Sequence, residues 1–239
     1  MMLLAGPALV LQTIRHGDQS VVARMFTRQR GLVSFLVKGV YARKSGKAAI
    51  LQAMNLVHVA FRNRENRDLQ MLTDLKMHHA YRNVPFSPVS VAQLVFISEV
   101  LIKTLRDLEP DDQLFDYVQG MLLALDEQSE VIADFHLRFL LDYSNFLGIR
   151  PQMNFSEDCK YFDPSAGEFI GFPRTGTWSL ELSEQLATIM EIPFEELYLR
   201  KSNRYQRQLL TDHLLGYYKC HFPSVGEFKS PEVLSAVFE

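Results

Sequence analysis

Apolar residues in this chain repeat every second position until about residue 80, and with a helical period after Val84-Pro85-Phe86-Ser87-Pro88. A chain that changes period once must build two kinds of layer. Side chains alternate across a strand but return to one face of a helix every 3.6 residues. In the first part, Val21, Ala23 and Met25 alternate with Val22, Arg24 and Phe26, and Val33, Phe35 and Val37 alternate with Ser34, Leu36 and Lys38. Leu51, Ala53, Val57, Val59 and Phe61 share one phase, and Leu69, Met71 and Leu75 form a last run. With Ala8–Arg15 these make five strand candidates, separated by turns at His16-Gly17-Asp18, Gln29-Arg30-Gly31 and Asn63–Arg67. Five short strands favour a closed barrel, which leaves no long unpaired edge. An OB-fold fits the count, with its longest connection, Tyr41–Ala49, between the third and fourth strands; an SH3-like barrel is the rival.

Beyond residue 88, Val91, Leu94, Val95, Ser98, Leu101, Ile102 and Leu105 follow the spacing of one helix face. Leu114–Leu125 predicts a second helix, and Ile132, Phe135, Phe139, Tyr143, Phe146 and Leu147 a third that Gly148 ends. The Pro- and Gly-rich stretch Pro151–Thr177 predicts a short hairpin around Tyr161-Phe162-Asp163 and Glu168-Phe169-Ile170. Helices resume at Trp178–Glu191 and Asn203–Cys220, and a last one starts at Ser230-Pro231. The expected fold is thus multi-domain α and β: a five-stranded β-barrel over residues 1–80, then an α-helical domain over 81–239 with a hairpin insertion at about 151–177.

A hydrophobic share of 47% with 11% aromatics excludes intrinsic disorder. Two cysteines cannot form a disulfide framework, which points to a reducing, cytoplasmic setting. No apolar run reaches the roughly 18 residues of a membrane span. The apolar start lacks a basic flank, so it reads as a buried strand, not a signal peptide. A net charge of -3 counts against a nucleic-acid binder until it is divided along the chain. Residues 1–80 carry 12 Lys and Arg against 4 Asp and Glu, a balance of +8, and residues 81–239 carry 13 against 24, a balance of -11. Such asymmetry suggests a basic, polyanion-binding module joined to an acidic one.

Catalytic motifs are missing. Gly39 through Gly46-Lys47-Ala48 is the nearest approach to a phosphate-binding loop, but its glycines are too far apart and Ala48 has no hydroxyl for Mg²⁺. There is no Gly-x-Ser-x-Gly, His-Glu-x-x-His or Gly-x-Gly-x-x-Gly. Cys159, Cys220-His221, His78-His79 and His58 lack the paired spacing of a zinc site. Neither an enzyme, nor a metal, nor a cofactor is expected.

The densest binding signal is Lys38-Gly39-Val40-Tyr41-Ala42-Arg43-Lys44-Ser45-Gly46-Lys47. Its cations suit phosphates, Tyr41 offers a stacking face, and glycine permits close approach. The plainer reading is a solvated loop in which Tyr41 closes the barrel. A second cluster, Arg200, Lys201, Arg204 and Arg207, reads either as a site for an acidic peptide or DNA, or as a helix face with ordinary ion pairs.

The stretch Val10-Leu11-Gln12-Thr13-Ile14-Arg15-His16-Gly17-Asp18, then Phe26-Thr27, Gly31-Leu32, Lys38-Gly39-Val40 and Lys44-Ser45, resembles the start of bacterial RecO recombination mediators. Similarity is clearest over about the first 60 residues and returns at Leu147-Gly148-Ile149-Arg150-Pro151. The resemblance implies an N-terminal OB-fold and a helical C-terminal domain. It implies binding of single- and double-stranded DNA, strand annealing, and work with RecR. It also implies engagement of the acidic tail of single-stranded DNA-binding protein and help in loading RecA onto coated DNA, in DNA repair and homologous recombination at the nucleoid. On this basis Lys38, Arg43, Lys44 and Lys47 are carried over as DNA-binding residues, with Arg15, Arg24, Arg28 and Arg30 as further candidates. Many members carry a four-cysteine zinc element where this chain keeps only Cys159, so the hairpin is expected to be held by Tyr161, Phe162, Phe169 and Phe172. The competing expectation is a protein–protein adaptor acting through the acidic helical domain with weak DNA binding.

Overall fold

The computed structural model describes residues 2–43, 45–64, 67–128 and 130–237. Five strands, β1 (Met2–His16), β2 (Ser20–Thr27), β3 (Gly31–Val37), β4 (Leu56–Asn63) and β5 (Leu69–His79), close into a barrel in the order β1-β2-β3-β5-β4. Neighbours run antiparallel except β3 and β5, whose short parallel seam pairs Ser34 with Leu69, Phe35 with Gln70 and Leu36 with Met71. In β2, β3 and β4 the inward phase is the one the alternation predicts. Val21, Ala23 and Met25 of β2 meet Phe35 and Val37 of β3 and Val57, Val59 and Phe61 of β4 in the core. Phe35 and Phe61 pack edge to face with centroids 4.9 Å apart. In β5, by contrast, Leu69 and Met71 of the expected apolar run are exposed. Only Leu75 of that run packs against the core, with Leu72 of the opposite phase, because the pairing of β4 with β5 shifts register at Ala60/Phe61.

One strand starts later than its apolar phase suggests. Lys47–Ile50 forms a single helical turn, α1, and Leu51 and Ala53 lie in the turn that follows it. Leu51 is still buried, in the same core as Val40. Its phase therefore reports a plug for the barrel, not a strand. Met54 takes a left-handed φ of 67°, and its N–H donates to the Val10 carbonyl at 2.6 Å.

Helices α2 (Pro88–Thr104) and α3 (Asp112–Glu127) follow. The sequence pattern placed Val91 and Val95 on the packed face of α2, yet both are exposed, while Ala92, Phe96, Ile97 and Val100 are buried. A helix that is apolar almost all round leaves its phase undetermined by period alone. The remaining elements are α4 (Phe135–Phe146), the two-stranded hairpin β6 (Tyr161–Asp163) and β7 (Glu168–Ile170), α5 (Leu180–Glu191), α6 (Arg204–His221) and α7 (Ser230–Ala236).

Strands give way to helices where the period changes, but compactness divides the chain differently. One unit joins Met1–Phe86 to Ser98–Glu127, and the other joins Ser87–Ile97 to Gln128–Glu239. In the first unit α3 backs the barrel, with Phe115 against Phe26 at 5.2 Å, and the Ser98 hydroxyl donates to the Leu11 carbonyl at 2.6 Å. Asp126, at the end of α3, accepts from the backbone N–H groups of Arg82, Asn83 and Val84. Burial alone would raise its carboxyl, but these amides and His79 outweigh it and hold the group below the usual carboxylate range.

In the second unit Phe139 and Tyr143 of α4 are fully buried and stacked, and the Tyr218 hydroxyl of α6 donates to the Leu140 carbonyl at 2.6 Å. The hairpin is held by Phe162, whose ring meets Phe169, Trp178 and Tyr217 at 5.2, 4.8 and 5.7 Å. Tyr161 is half-buried. Phe172, expected to share in this packing, is 84% exposed because it lies past the end of β7 and reaches none of these rings. Among the described residues no group of three or more His, Cys, Asp or Glu stands close enough to share a metal ion, and no helix is long and apolar enough to cross a membrane.

Candidate nucleic-acid interface

The outer face of the barrel is shaped by register. On β2 and β3, Arg24 lies opposite Ser34 and Val22 opposite Leu36, and the parallel seam continues these rows to Leu69 and Met71 of β5. Three grooves run along this face. The first, about 630 Å³, is lined by Arg24, Arg30, Arg67 and Arg106 with Ser34, Gln70 and Asp68. The second, about 240 Å³, shares Arg67 with the first and adds Arg62, Arg64, Leu69 and Met71. The third, about 480 Å³, shares Met71 and Thr73 with the second and ends at Lys38 and Lys47. The three grooves adjoin along β3 and β5, and together this trough is lined by eight cations, Arg24, Arg30, Lys38, Lys47, Arg62, Arg64, Arg67 and Arg106, and two carboxylates, Asp68 and Asp74. Asp74 is already engaged by Lys76 at 2.8 Å. Among the described residues, none of the eight cations forms an ion pair.

Local structure holds these side chains at the groove. The turn after β4 is pinned by Gln70, only 5% exposed, whose side chain donates to the Arg64 carbonyl at 2.9 Å and the Arg67 carbonyl at 2.5 Å and accepts from the Arg64 N–H at 3.1 Å. The turn between β2 and β3 is tied by Thr27, whose hydroxyl donates to the Gly31 carbonyl and accepts from the Arg30 N–H. At the far end, the Lys47 ammonium donates to the Lys38 carbonyl at 3.1 Å, and the Ser45 hydroxyl to the Val40 carbonyl at 2.6 Å.

The residues singled out in the sequence separate into three groups. Arg24, Arg30, Lys38 and Lys47 line the trough. Tyr41 and Arg43 are exposed on the loop after β3, and the Arg15 guanidinium sits 5.5 Å from the Tyr41 ring, a cation–π pair. Lys44 lies outside the described residues. Arg28 turns the other way, binding Asp116 through two nitrogens at 2.8 and 2.9 Å and Asp112 at 2.7 Å. The hydrogen bond to Asp116 raises the Arg28 pKa further and lowers that of Asp116. Arg62, Arg64, Arg67 and Arg106 were not singled out. The run Arg62-Asn63-Arg64 with Arg67 carries the charge signal but sits in a segment whose Gly-free, polar composition reads simply as a turn. Arg106 lies in the helical half of the sequence, and only the fold brings it beside β3.

The cluster at 200–207 has a different character. Arg200 binds Asp134 at 2.5 Å with both side chains buried, and Ser202 donates to the same carboxylate at 2.8 and 3.0 Å. Arg207 donates to the Ser202 carbonyl at 2.5 Å. Burial lowers its pKa, Asp134 opposes that, and Arg200 adds to it. The helix begins at Arg204 with Asn203 as cap, in a reciprocal box with Gln206, so Arg200 precedes it. Lys201 and Arg204 remain on the surface.

An OB-type barrel with an arginine-lined trough, followed by a helical unit with a small hairpin, defines a two-part class of protein. Within that class, the chain matches the family models described as "Recombination protein O N terminal" over residues 1–81 and "Recombination protein O C terminal" over residues 86–230. It belongs to the RecO family. Relatives span its whole length. It is 27% identical over 247 residues to "DNA repair protein RecO" of Porphyromonas gingivalis, covering 100% of both chains. It is 28% identical to the protein of that name from Phocaeicola vulgatus, over 96% of this chain and 97% of the relative. With the Christiangramia forsetii protein the identity is 27%, over 99% and 100%.

Proposed function

We propose that this chain acts in DNA repair as a recombination mediator that binds DNA along the barrel trough. The observation that carries the reading is the trough itself, where eight cations line three adjoining grooves against two carboxylates. Phosphate neutralisation by such a surface releases counterions and favours nucleic acid of any sequence. Family membership and the shared name of the relatives support the repair role. A surface that neutralises phosphates also lowers the repulsion between two strands, which suits annealing without nucleotide hydrolysis. Cooperation with RecR, with the acidic tail of single-stranded DNA-binding protein, and with RecA loading belongs to the same proposal, supported by the family alone.

The test is affinity of the full chain for an unstructured oligonucleotide over a salt series, together with the rate at which complementary strands anneal. The expected result is a loss on the order of a hundredfold or more between 50 and 200 mM salt, with annealing faster in the presence of the protein. Binding indifferent to salt, or no acceleration of annealing, would count against the mediator reading.

A further inference from the structure

The outer sheet face that floors the trough carries apolar side chains, Leu36, Leu69 and Met71, beside Arg24 and Ser34. Register sets Leu36 directly beside Met71 and Ser34 beside Leu69 on the outer face of the seam. Between them Phe35 is buried in the core, and Gln70 is buried against the backbone of Arg64 and Arg67. Met71 is 50% exposed and Leu69 38%. Both lie in the part of the groove that Arg62, Arg64 and Arg67 flank. Their exposure is not explained by the barrel core, which the opposite phase already fills.

A duplex presents phosphates and sugars to a groove of this kind and keeps its base faces stacked inside. A single strand presents phosphates and unstacked bases together, so that cations on the walls and apolar side chains on the floor are both used. A methionine suits such a floor, since its flexible, polarisable thioether adapts to differently shaped faces. From this juxtaposition we propose that Leu69 and Met71 form a base-contacting strip that makes the trough selective for single-stranded over double-stranded DNA. The inference rests on the reading of the trough as the DNA-binding surface and names the form of DNA that it prefers. Selectivity then comes from side chains that carry no charge, and the cations supply affinity common to both forms.

The experiment compares a single-stranded oligonucleotide with the duplex of the same sequence, each against the wild-type chain, L69S/M71S, M71L and R62A/R64A/R67A. Serine at the two exposed floor positions is expected to weaken single-strand binding by about tenfold and duplex binding by less than about twofold. The salt slope of L69S/M71S should match wild type, because no phosphate contact is lost. M71L, which keeps the apolar surface, should bind both forms as wild type does. Equal effects of L69S/M71S on the two forms, or none on either, would overturn the strip while leaving the trough in place if the arginine variant still loses affinity. Wild-type binding by the arginine variant would instead remove the trough reading and the strip with it.

Discussion

Two groups of basic residues look alike in the sequence and differ completely in the fold. The trough arginines, Arg24, Arg30, Arg62, Arg64 and Arg67, stand on strands and turns around an open groove with few carboxylates. Arg200 and Arg207 stand at the entrance of a helix, where Arg200 is buried against Asp134 and Arg207 bonds the backbone of Ser202. Charge density in a sequence therefore measures supply, and the nearest carboxylate decides use. Arg28 and Arg30 make the same point two residues apart, one taken by Asp112 and Asp116, the other left facing the groove.

The contrast can be broken at the buried end first. Asp134→Ala leaves the Arg200 guanidinium buried without its counter-charge, and a loss of about 3–5 kcal/mol is expected in chemical denaturation. A loss under about 1 kcal/mol would mean that the pair is solvated. The support beneath the trough comes next. Gln70→Leu removes the three bonds that pin the arginine turn, for a cost of about 1–3 kcal/mol, and should weaken DNA binding several-fold although Gln70 itself is buried. Unchanged affinity at reduced stability would make Gln70 a purely structural residue.

Titration separates the two units as well. Burial, with the charge of Arg207 adding to it, pushes His136 down to about 3. A histidine held neutral in the fold binds its proton only on unfolding, so its contribution is present above the ordinary histidine value near 6.5 and fades as pH falls toward 3. Asp126 of the barrel unit has a lowered pKa, so the stability it contributes is present above about pH 3.9 and is lost below it. Acid unfolding followed by hydrogen exchange should therefore loosen the amides of α4 and α6 before those of β5 and α3. Simultaneous loss would contradict the assignment. The smallest effect belongs to Arg28→Ala, an exposed ion-pair residue, with no measurable change in the denaturation midpoint and the DNA salt slope unchanged.

Much of the fold was legible because burial imposes period. The alternation of Val21, Ala23 and Met25 gave β2 its inward face, and Gly17 and Gly31 marked the turns on either side of it. Residues 51–54 and α2 show where this stops. Leu51 is buried from a turn, and α2 is apolar on nearly every face, so periodicity alone assigns neither. The site was legible in type but not in extent. Lys38 and Lys47 stand out as a run, whereas the trough is assembled across β2, β3, β5 and the turn after α2, by pairings that no local pattern records. The charge division was also only partly structural, since acidic α3, with Asp112 and Asp116, belongs to the barrel unit.

The central claim is that the trough, and not the cluster at 200–207, neutralises DNA phosphates. Its most direct test is the slope of log affinity against log salt for single-stranded DNA, measured for wild type, R62A/R64A/R67A and K201A/R204A. The first variant is expected to flatten the slope by about 2, from three lost contacts at roughly 0.7 each, and the second to leave it unchanged. A slope that flattens in K201A/R204A and persists in R62A/R64A/R67A would contradict the account.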